Sequence, residues 1–545
     1  MKIIAVIPAR GGSRGIPRKN VRFLNGKPLI AYAITNALQS KYITEVFVST
    51  DDEEIAHVAE LYGAEVIKRP EKLGEDDVTL DPVIYHAVQV YEEKGSGQAE
   101  VVITMQPTSP LLRTKTLDDA IESFLELGVD TMISAVNKPH LSWRKENDKF
   151  VPMYSERLNR QYLPEHMIET GAFVITKREF INKNSRFGKN VYLFVVPDLE
   201  SVDIDDFSDW AICDMQLKKK KIVIRTEGYP QIGLGHVYRS ILLTANLMEH
   251  DVLIVLSEKS ELGIRKVQEQ FLTYREISNT DEFIELLKEI KPDILVNDIL
   301  DTTEEYMKQV KPLAGRVINI EDMGEGGTLA DAVINALYEK NRSGENYYWG
   351  YKYYCLREEF MLTKPKAFSA EVKEILVTFG GTDQGRYTEK VLDVIKTMPI
   401  NEKIVYQFVL GLGFDREEEF LDNVRSCSQN IRVVKNVQMI SKYMAKADIA
   451  ISSQGRTIYE LAAMKVPTII LAQNERERTH EFGYMKNGFI NLGTGDNVEK
   501  ETLRETLLWL IHTPQIRKQM RNGMGRISLT SGIDRVKNVI LGIEK

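Results

Sequence analysis

Cysteine is scarce in this chain: Cys213, Cys355 and Cys427 are the only three in 545 residues. They show no metal-ligand spacing, so neither a cysteine zinc site nor a disulfide framework is expected, and three reduced thiols fit a cytoplasmic protein. Long apolar runs are also missing. Stretches such as IAVI near the start are only strand-length, so nothing is expected to span a membrane. The first strand begins almost at once, which leaves no room for a signal peptide. There is no excess of positive charge. The formal net charge of −8 argues against a general nucleic-acid binder, although local basic clusters can still serve a phosphate site. Low-complexity tracts and short repeats are absent.

What is present is a steady alternation of short apolar strand, turn and amphipathic helix. Strands are expected at Lys2–Ile7, Glu45–Ser49, Glu100–Gln106 and Asp130–Val136, and helices at Leu29–Ser40 and Asp52–Tyr62. That order predicts a doubly wound, Rossmann-like α/β sheet. The length exceeds what one core serves, and about three compact units are expected. The pattern restarts after the lysine run 218–221 with a strand at Lys221–Arg225. It restarts again after the polar segment TKPKAFSAE with a strand at Glu374–Phe379. The expected units are therefore 1–220, 221–365 and 366–545.

The first strand runs into the loop IPARGGSRGIPRKN, which holds three glycines and the cations Arg10, Arg14, Arg18 and Lys19. Glycines let backbone N–H groups approach a ligand, and amide nests with cations suit a polyphosphate at the edge of a parallel sheet. The loop lacks the GxxxxGK[ST] spacing of a Walker site. Three more segments end at the same edge. In STDD, Ser49 or Asp51 can act as a helix cap. In QPTSPLLR, two prolines fix a turn that presents polar side chains. In SVDID, Asp203 and Asp205 lie two apart on an extended stretch and so can share one cation. Paired hard oxygens beside a polyphosphate suit Mg²⁺.

IPARGGSRGIPRKN, STDDEEI, QPTSPLLR and SVDIDD, in this order and at these spacings, resemble the acylneuraminate cytidylyltransferases, the CMP–sialic acid synthetases. The likeness covers about residues 1–217. It implies a nucleotidyltransferase (GT-A-like) domain that couples CTP to a nonulosonic acid with Mg²⁺. Arg10, Arg14 and Lys19 then match the cations that hold the CTP phosphates, and Ser13 and Asn20 match nucleotide contacts. Gln106, Thr108 and Arg113 match the sugar side, and Asp203 and Asp205 match the metal ligands. Arg160 and Gln161 match a segment that crosses to a partner subunit, which implies a homodimer. Where family members often have Asn-Gly-Ala, this chain reads Glu169-Thr170-Gly171-Ala172.

The second restart leads into Gly233-Leu234-Gly235-His236-Val237-Tyr238-Arg239. A strand, a glycine turn and a helix would set His236 at a helix N-terminus over a cleft, where the dipole favours a neutral base. Further on, Thr378-Phe379-Gly380-Gly381-Thr382-Asp383 and SSQGRTIYELA place small polar residues ahead of helices, a cradle for a diphosphate. Glu460 follows one to two turns into the second of these helices.

GLGHVYR, GYKYYCLREEF, FGGTD and SSQGRTIYELA together resemble the pseudaminic-acid-pathway hydrolases that release UDP from a diacetamido-trideoxy-altrose. Those enzymes are related to the MurG-like, two-lobed GT-B glycosyltransferases. The likeness implies that His236 is the general base, that Gly381, Thr382, Ser453, Thr457, Glu460, Gln473 and Asn474 hold UDP, and that no metal is required. Two segments depart from the hydrolase pattern: Asn297-Asp298-Ile299 stands for Asp-x-Tyr, and Asn335-Ala336-Leu337 for a polar Asp-Gln-Asn. A glycosyltransferase and a non-catalytic UDP-sugar module are the alternative readings of this half. The expectation is a bifunctional enzyme acting on CTP, a nonulosonic acid and a UDP-acetamido-sugar.

Overall fold

The computed structural model describes residues 1–12, 15–75, 77–95, 97–229, 232–338, 344–381, 383 and 385–543. The chain forms two compact units, Met1–Lys219 and Lys220–Lys545. Among the described residues no helix is long and apolar enough to cross a membrane.

The first unit is built on a seven-stranded sheet in the order Val191–Val195, Thr131–Asn137, Met167–Lys177, Val101–Met105, Ile3–Pro8, Glu45–Thr50, Glu65–Lys68. Met167–Lys177 runs antiparallel to both of its neighbours and the remaining pairs are parallel. Ile3–Pro8 is buried along its whole length. Alternate side chains serve opposite layers. Ile3, Ala5 and Ile7 pack with Ile30, Ile34, Leu117 and Ile121, whereas Ile4 and Val6 pack with Ile84, Ala87 and Val88. Chain order reverses direction at Ile3–Pro8. In such sheets ligands bind beyond the carboxyl ends of the strands at that reversal, which is where the glycine loop lies.

The second unit contains two parallel sheets. The first has seven strands, in the order Tyr274–Ile277, Asp251–Ser257, Lys221–Thr226, Ile294–Asp298, Arg316–Ile320, Ala332–Asn335, Tyr347–Trp349. The second has six: Ile431–Lys435, Val405–Leu410, Glu374–Thr378, Ile449–Ser452, Thr468–Ala472, Phe489–Thr494. The first sheet reverses order between Lys221–Thr226 and Ile294–Asp298, and the second between Glu374–Thr378 and Ile449–Ser452. The residues that follow three of those strands, Lys221–Thr226, Glu374–Thr378 and Ile449–Ser452, are the ones expected to carry the chemistry. Helix Gly532–Leu541 follows the second sheet in the chain yet packs on the first, with Ile533, Val536, Val539 and Ile540 in one cluster with Ile222, Ile224 and Leu243. The architecture is thus α/β throughout, with a GT-B-like pair of lobes in the second unit.

Candidate functional site

In the first unit, three segments close around the glycine loop. Lys19 Nζ donates to the carbonyl of Ile204 (2.5 Å) and stands 3.9 Å from Asp205 Oδ1. Asn20 Nδ2 donates to the carbonyl of Arg10 (3.1 Å) and so ties the two ends of the loop together. Ile204 N–H donates to the carbonyl of Thr108 (2.9 Å), which joins the QPTSP turn to the Asp203–Asp205 stretch. The glycines are needed for this closeness. A Cβ on Gly15 would fall 2.3 Å from the carbonyl oxygen of Asp205, and one on Gly171, where φ is +74°, would fall 3.0 Å from Gln106 Nε2 and 3.4 Å from Asp203 Oδ2. Lys19, Asn20, Gln106, Thr108, Asp203 and Asp205 are therefore brought together, with Arg10 held at the loop's end. Ser13 and Arg14 lie outside the described residues.

Asp203 and Asp205 differ in setting. Asp205 is exposed; Asp203 is half-buried, with its Oδ1 shut off from solvent and without a hydrogen-bond partner. Burial pushes the Asp203 carboxyl above its ordinary value, and the charge of Asp205 adds to the push. Asp209 Oδ2 accepts from the N–H groups of Asp205 and Asp206 (3.0 and 3.1 Å) and fixes this stretch ahead of helix Phe207–Leu217. An orphaned carboxylate oxygen with a second carboxylate two residues away fits a hard divalent cation. Among the described residues no group of three or more His, Cys, Asp or Glu side chains could hold a metal, so phosphate and water oxygens would complete its shell.

Three other expected residues are exposed. Arg113 is largely exposed; its N–H donates to Glu200 Oε2 (3.0 Å), and its Nε lies 3.5 Å from Glu200 Oε1. Arg160 and Gln161 sit exposed on the 3₁₀ turn Arg160–Tyr162. The cap of helix Glu53–Leu61 is neither Ser49 nor Asp51 but Asp52, whose Oδ1 accepts from Glu54 and Ile55 N–H (2.9 Å each). Ser49 is still inside its strand, one residue short of its end, and Asp51 instead accepts from Gly11 N–H (3.3 Å).

In the second unit, a cavity of 510 Å³ lies over the reversal points of both sheets. His236, in the first turn of helix Gly235–Asn246, lines it. His236 Nδ1 is 2.5 Å from Asp298 Oδ1, at the carboxyl end of Ile294–Asp298. Asp298 is fully buried. The Arg239 guanidinium donates to both of its oxygens, Nε to Oδ2 at 2.7 Å and Nη2 to Oδ1, and reaches Glu321 Oε1 with Nη1 (3.1 Å). Burial alone would raise the Asp298 carboxyl. Arg239 and His236 outweigh it and hold the carboxyl far below the usual carboxylate range. Accepting from Nδ1–H fixes the imidazole tautomer that leaves Nε2 as the base. Leu300 and Glu321 also line the cavity, and both have left-handed backbone, with φ of 72° and 56°. Strain of this kind persists only where surrounding contacts enforce it. Here Glu321 is held by Arg239 and by the N–H groups of Ala336 and Leu337 (3.3 and 3.4 Å).

The opposite wall comes from the second sheet. Gly381, Ser453, Thr457, Glu460, Gln473 and Asn474 all line the cavity, and Thr382 lies outside the described residues. Glu460 is buried and paired with Arg357, Nε and Nη2 both on Oε1 (3.0 and 2.9 Å). Tyr354, Tyr459 and Phe482 stack at 4.2 and 4.1 Å, which clamps helix Thr457–Ala463 against the GYKYYCLREEF segment. Gln473 Nε2 donates to the carbonyl of Phe379 (2.7 Å), and Asn474 caps the short helix Glu475–Arg478.

Two family models match the chain: Cytidylyltransferase over residues 4–185, and Glycosyltransferase family 28 C-terminal domain over residues 375–526. The pseudaminic acid cytidylyltransferase of Campylobacter jejuni is 34% identical over 218 residues, 38% of this chain and 93% of that one. The chain belongs to the cytidylyltransferase family. A Helicobacter pylori protein, pseudaminic acid cytidylyltransferase and UDP-2,4-diacetamido-2,4,6-trideoxy-beta-L-altropyranose hydrolase, is 26% identical over 507 residues, 88% of this chain and 90% of that one. N-acylneuraminate cytidylyltransferase A of Danio rerio is 35% identical over 224 residues, 39% of this chain and 50% of that one. The chain spans about half the length of three curated relatives it matches, 50% to 58%.

Several residues of both units escape a motif search. Arg69 is buried, donates to the carbonyls of Ser49 (2.6 Å) and Leu73 (3.3 Å), and keeps a buried Nε without a partner. Glu200 anchors the start of the helix after QPTSPLLR. Asp298, Glu321 and Arg357 hold His236, Arg239 and Glu460. The usable signal was the strand-end position of Asp298, since alternation sends Asn297 and Asp298 to opposite faces: Asn297 bonds Asn319 (2.9 Å) on one, Asp298 bonds His236 on the other.

Proposed function

We propose that the chain is a bifunctional enzyme of nonulosonic acid activation. The first unit transfers CMP from CTP to a nonulosonic acid, and the second releases UDP from a UDP-acetamido-sugar. The observation that carries the first activity is the convergence of Lys19, Gln106, Asp203 and Asp205 on one glycine loop. For the second it is the His236–Asp298 pair facing a nucleotide-sized cavity. The Helicobacter pylori relative, whose name joins the two activities, supports reading them together.

In the first reaction the anomeric hydroxyl of the acidic sugar attacks the α-phosphorus of CTP and pyrophosphate leaves. Negative charge gathers on phosphate oxygens, and the loop N–H groups, Lys19, Arg10 and Arg14 offset it. Asp203 and Asp205 would hold Mg²⁺, which supplies further charge neutralisation when bound. Gln106, Thr108 and Arg113 face the sugar. Arg160 and Gln161 belong to an exposed arm that also displays Trp143, Phe150, Tyr162 and Ile168. We assign this arm to a homodimer contact, since an apolar surface of that kind is otherwise left against water. A cytoplasmic location fits the nucleotide substrates.

In the second reaction His236 Nε2 takes a proton from water, the oxygen attacks the anomeric carbon, and UDP leaves. Asp298 accepts from Nδ1–H throughout and stabilises the imidazolium that forms. Gly381, Ser453, Thr457 and Gln473 hold the diphosphate, and Glu460, kept in place by Arg357, accepts from the ribose. Thr382 and Asn474 join this set. The test is direct. The full chain is incubated with CTP, Mg²⁺ and a panel of sialic, legionaminic and pseudaminic acids, and separately with UDP-diacetamido-sugars. CMP-sugar and free UDP are then read by mass spectrometry. No CMP-sugar from any acid would reject the first activity. UDP release only in the presence of a sugar acceptor would replace hydrolysis by glycosyl transfer.

A further inference from the structure

Glu477 is a half-buried carboxylate in the wall of the second unit's cavity, and the mechanism above does not use it. Its Oε2 accepts two backbone N–H groups from different loops, Gln454 (3.2 Å) after strand Ile449–Ser452 and Gln473 (2.8 Å) after strand Thr468–Ala472. Its Oε1 lies so close under the first loop that a Cβ on Gly455 would meet it at 3.0 Å. One side chain thus fastens together the two loops that line the diphosphate side.

Among the described residues no cation pairs with this carboxylate. On its own helix Arg476 is spent on Asp301 (2.8 Å) and Tyr338 (2.9 Å), and Arg478 pairs with Glu475 (3.3 Å). His480 turns Nδ1 to the carbonyl of Gln454 (2.9 Å). From the loop after Ile449–Ser452, the Arg456 guanidinium lies over the Tyr354 ring (5.3 Å). From strand Phe489–Thr494, the neutral Asn491 and Thr494 reach this corner, on Gln454 (2.9 Å) and Glu475 (3.3 Å). A diphosphate entering the loops would therefore meet an uncompensated negative charge.

We propose that Glu477 is a positioning residue of the nucleotide site that takes up a proton when UDP binds, so that the loops hold the diphosphate with a neutral carboxyl beneath them. This rests on the UDP-site reading. The chemistry is favourable in two ways. A protonated carboxyl removes the repulsion, and its carbonyl oxygen still accepts the two loop N–H groups. Burial already pushes this carboxyl up to about 7, with the two N–H bonds opposing the shift, so the proton is available near neutral pH.

The experiment is titration calorimetry of the full chain with UDP between about pH 6.5 and 8.5, in buffers of different ionisation enthalpy. Wild-type protein should take up protons on binding and lose as much as about tenfold in affinity per pH unit at the alkaline end. The nucleotide's own proton is lost near about pH 6 and is common to every variant. Glu477→Gln keeps the shape and an acceptor but not the charge. It should bind UDP at alkaline pH at least as tightly as wild-type protein does at acid pH, without the extra proton uptake. Binding by wild-type protein with no proton uptake beyond that of UDP overturns the inference whether or not the variant folds. Equal pH dependence in Glu477→Gln also overturns it. No UDP binding at any pH overturns the nucleotide-site reading itself, and this inference with it.

Discussion

Asp298 Oδ1 stands 2.5 Å from Nδ1 of His236, a residue 62 positions earlier in the chain, and the same carboxylate is gripped by Arg239. The pairing makes the imidazole one end of a buried, charged chain that ends on Glu321.

Asp298→Asn should therefore separate binding from chemistry. The amide can present its N–H to Nδ1 and favour the wrong tautomer, so kcat for UDP release should fall by about 10²- to 10⁴-fold. UDP affinity, set on the other wall, should be unchanged. Steady-state kinetics and calorimetry check the two halves, with a melting curve to confirm folding. His236→Asn should give the same split, and loss of UDP affinity in it would mark His236 as a phosphate contact.

Gly15→Ala tests the closeness of the glycine loop to the aspartate stretch. The new methyl would meet the carbonyl of Asp205 at 2.3 Å, so one segment must move. Overpacking of this kind costs about 1–3 kcal/mol. CMP-sugar formation should drop by about two- to twelvefold if half of that falls on the transition state. UDP release by the same preparation should not change.

Asp203→Asn and Asp205→Asn each remove one charged oxygen from the proposed cation site. Both should raise the Mg²⁺ concentration needed for half-maximal CMP-sugar formation and remove most activity at low Mg²⁺. Asp203→Asn should be the more damaging, because its half-buried Oδ1 has no other partner. Unaltered Mg²⁺ titration curves in both variants would reject the assignment.

His480 makes a statement about stability and pH. Burial lowers its pKa to about 4, below the ordinary value near 6.5. Between those values the unfolded chain binds the proton and the folded one does not, so stability is lost as pH falls from about 6.5 to 4. Glu477, raised to about 7, acts in the opposite direction across much of the same range and masks the loss. Comparing His480→Gln with wild-type protein isolates it: the variant should gain about 3 kcal/mol relative to wild type between those pH values, read from denaturant melts.

Much of the fold is legible because the strands are buried on both faces. Expected Glu45–Ser49 is Glu45–Thr50, expected Lys221–Arg225 is Lys221–Thr226, and expected Glu374–Phe379 is Glu374–Thr378. Each ends where glycine or a helix cap interrupts the apolar run. The site residues are legible only where one loop carries the chemistry. His236 and Lys19 stand inside glycine motifs, whereas Asp298, Glu477 and Arg69 act from other strands and acquire their partners through sheet order, which no local pattern encodes. The helix cap shows the limit at short range. Asp51 and Asp52 have the same side chain, and only the exit angle of the strand decides which of them meets the N–H groups of Glu54 and Ile55.

The terminal helix Gly532–Leu541 bears on how the molecule is made. Its apolar face seals the sheet that begins at Lys221, and Lys220 Nζ bonds the carbonyl of Leu541, 321 positions away (3.3 Å). On the ribosome, every strand of that sheet emerges while the residues that cover it are still untranslated. The nascent lobe must wait for the part of its core that packs on Ile222, Ile224 and Leu243 until Gly532–Leu541 has been made, after the six-stranded lobe. A stop codon just ahead of Gly532 would thus yield a chain that keeps His236, Asp298 and Glu460 but has an open core, a client for chaperones and proteases rather than an enzyme.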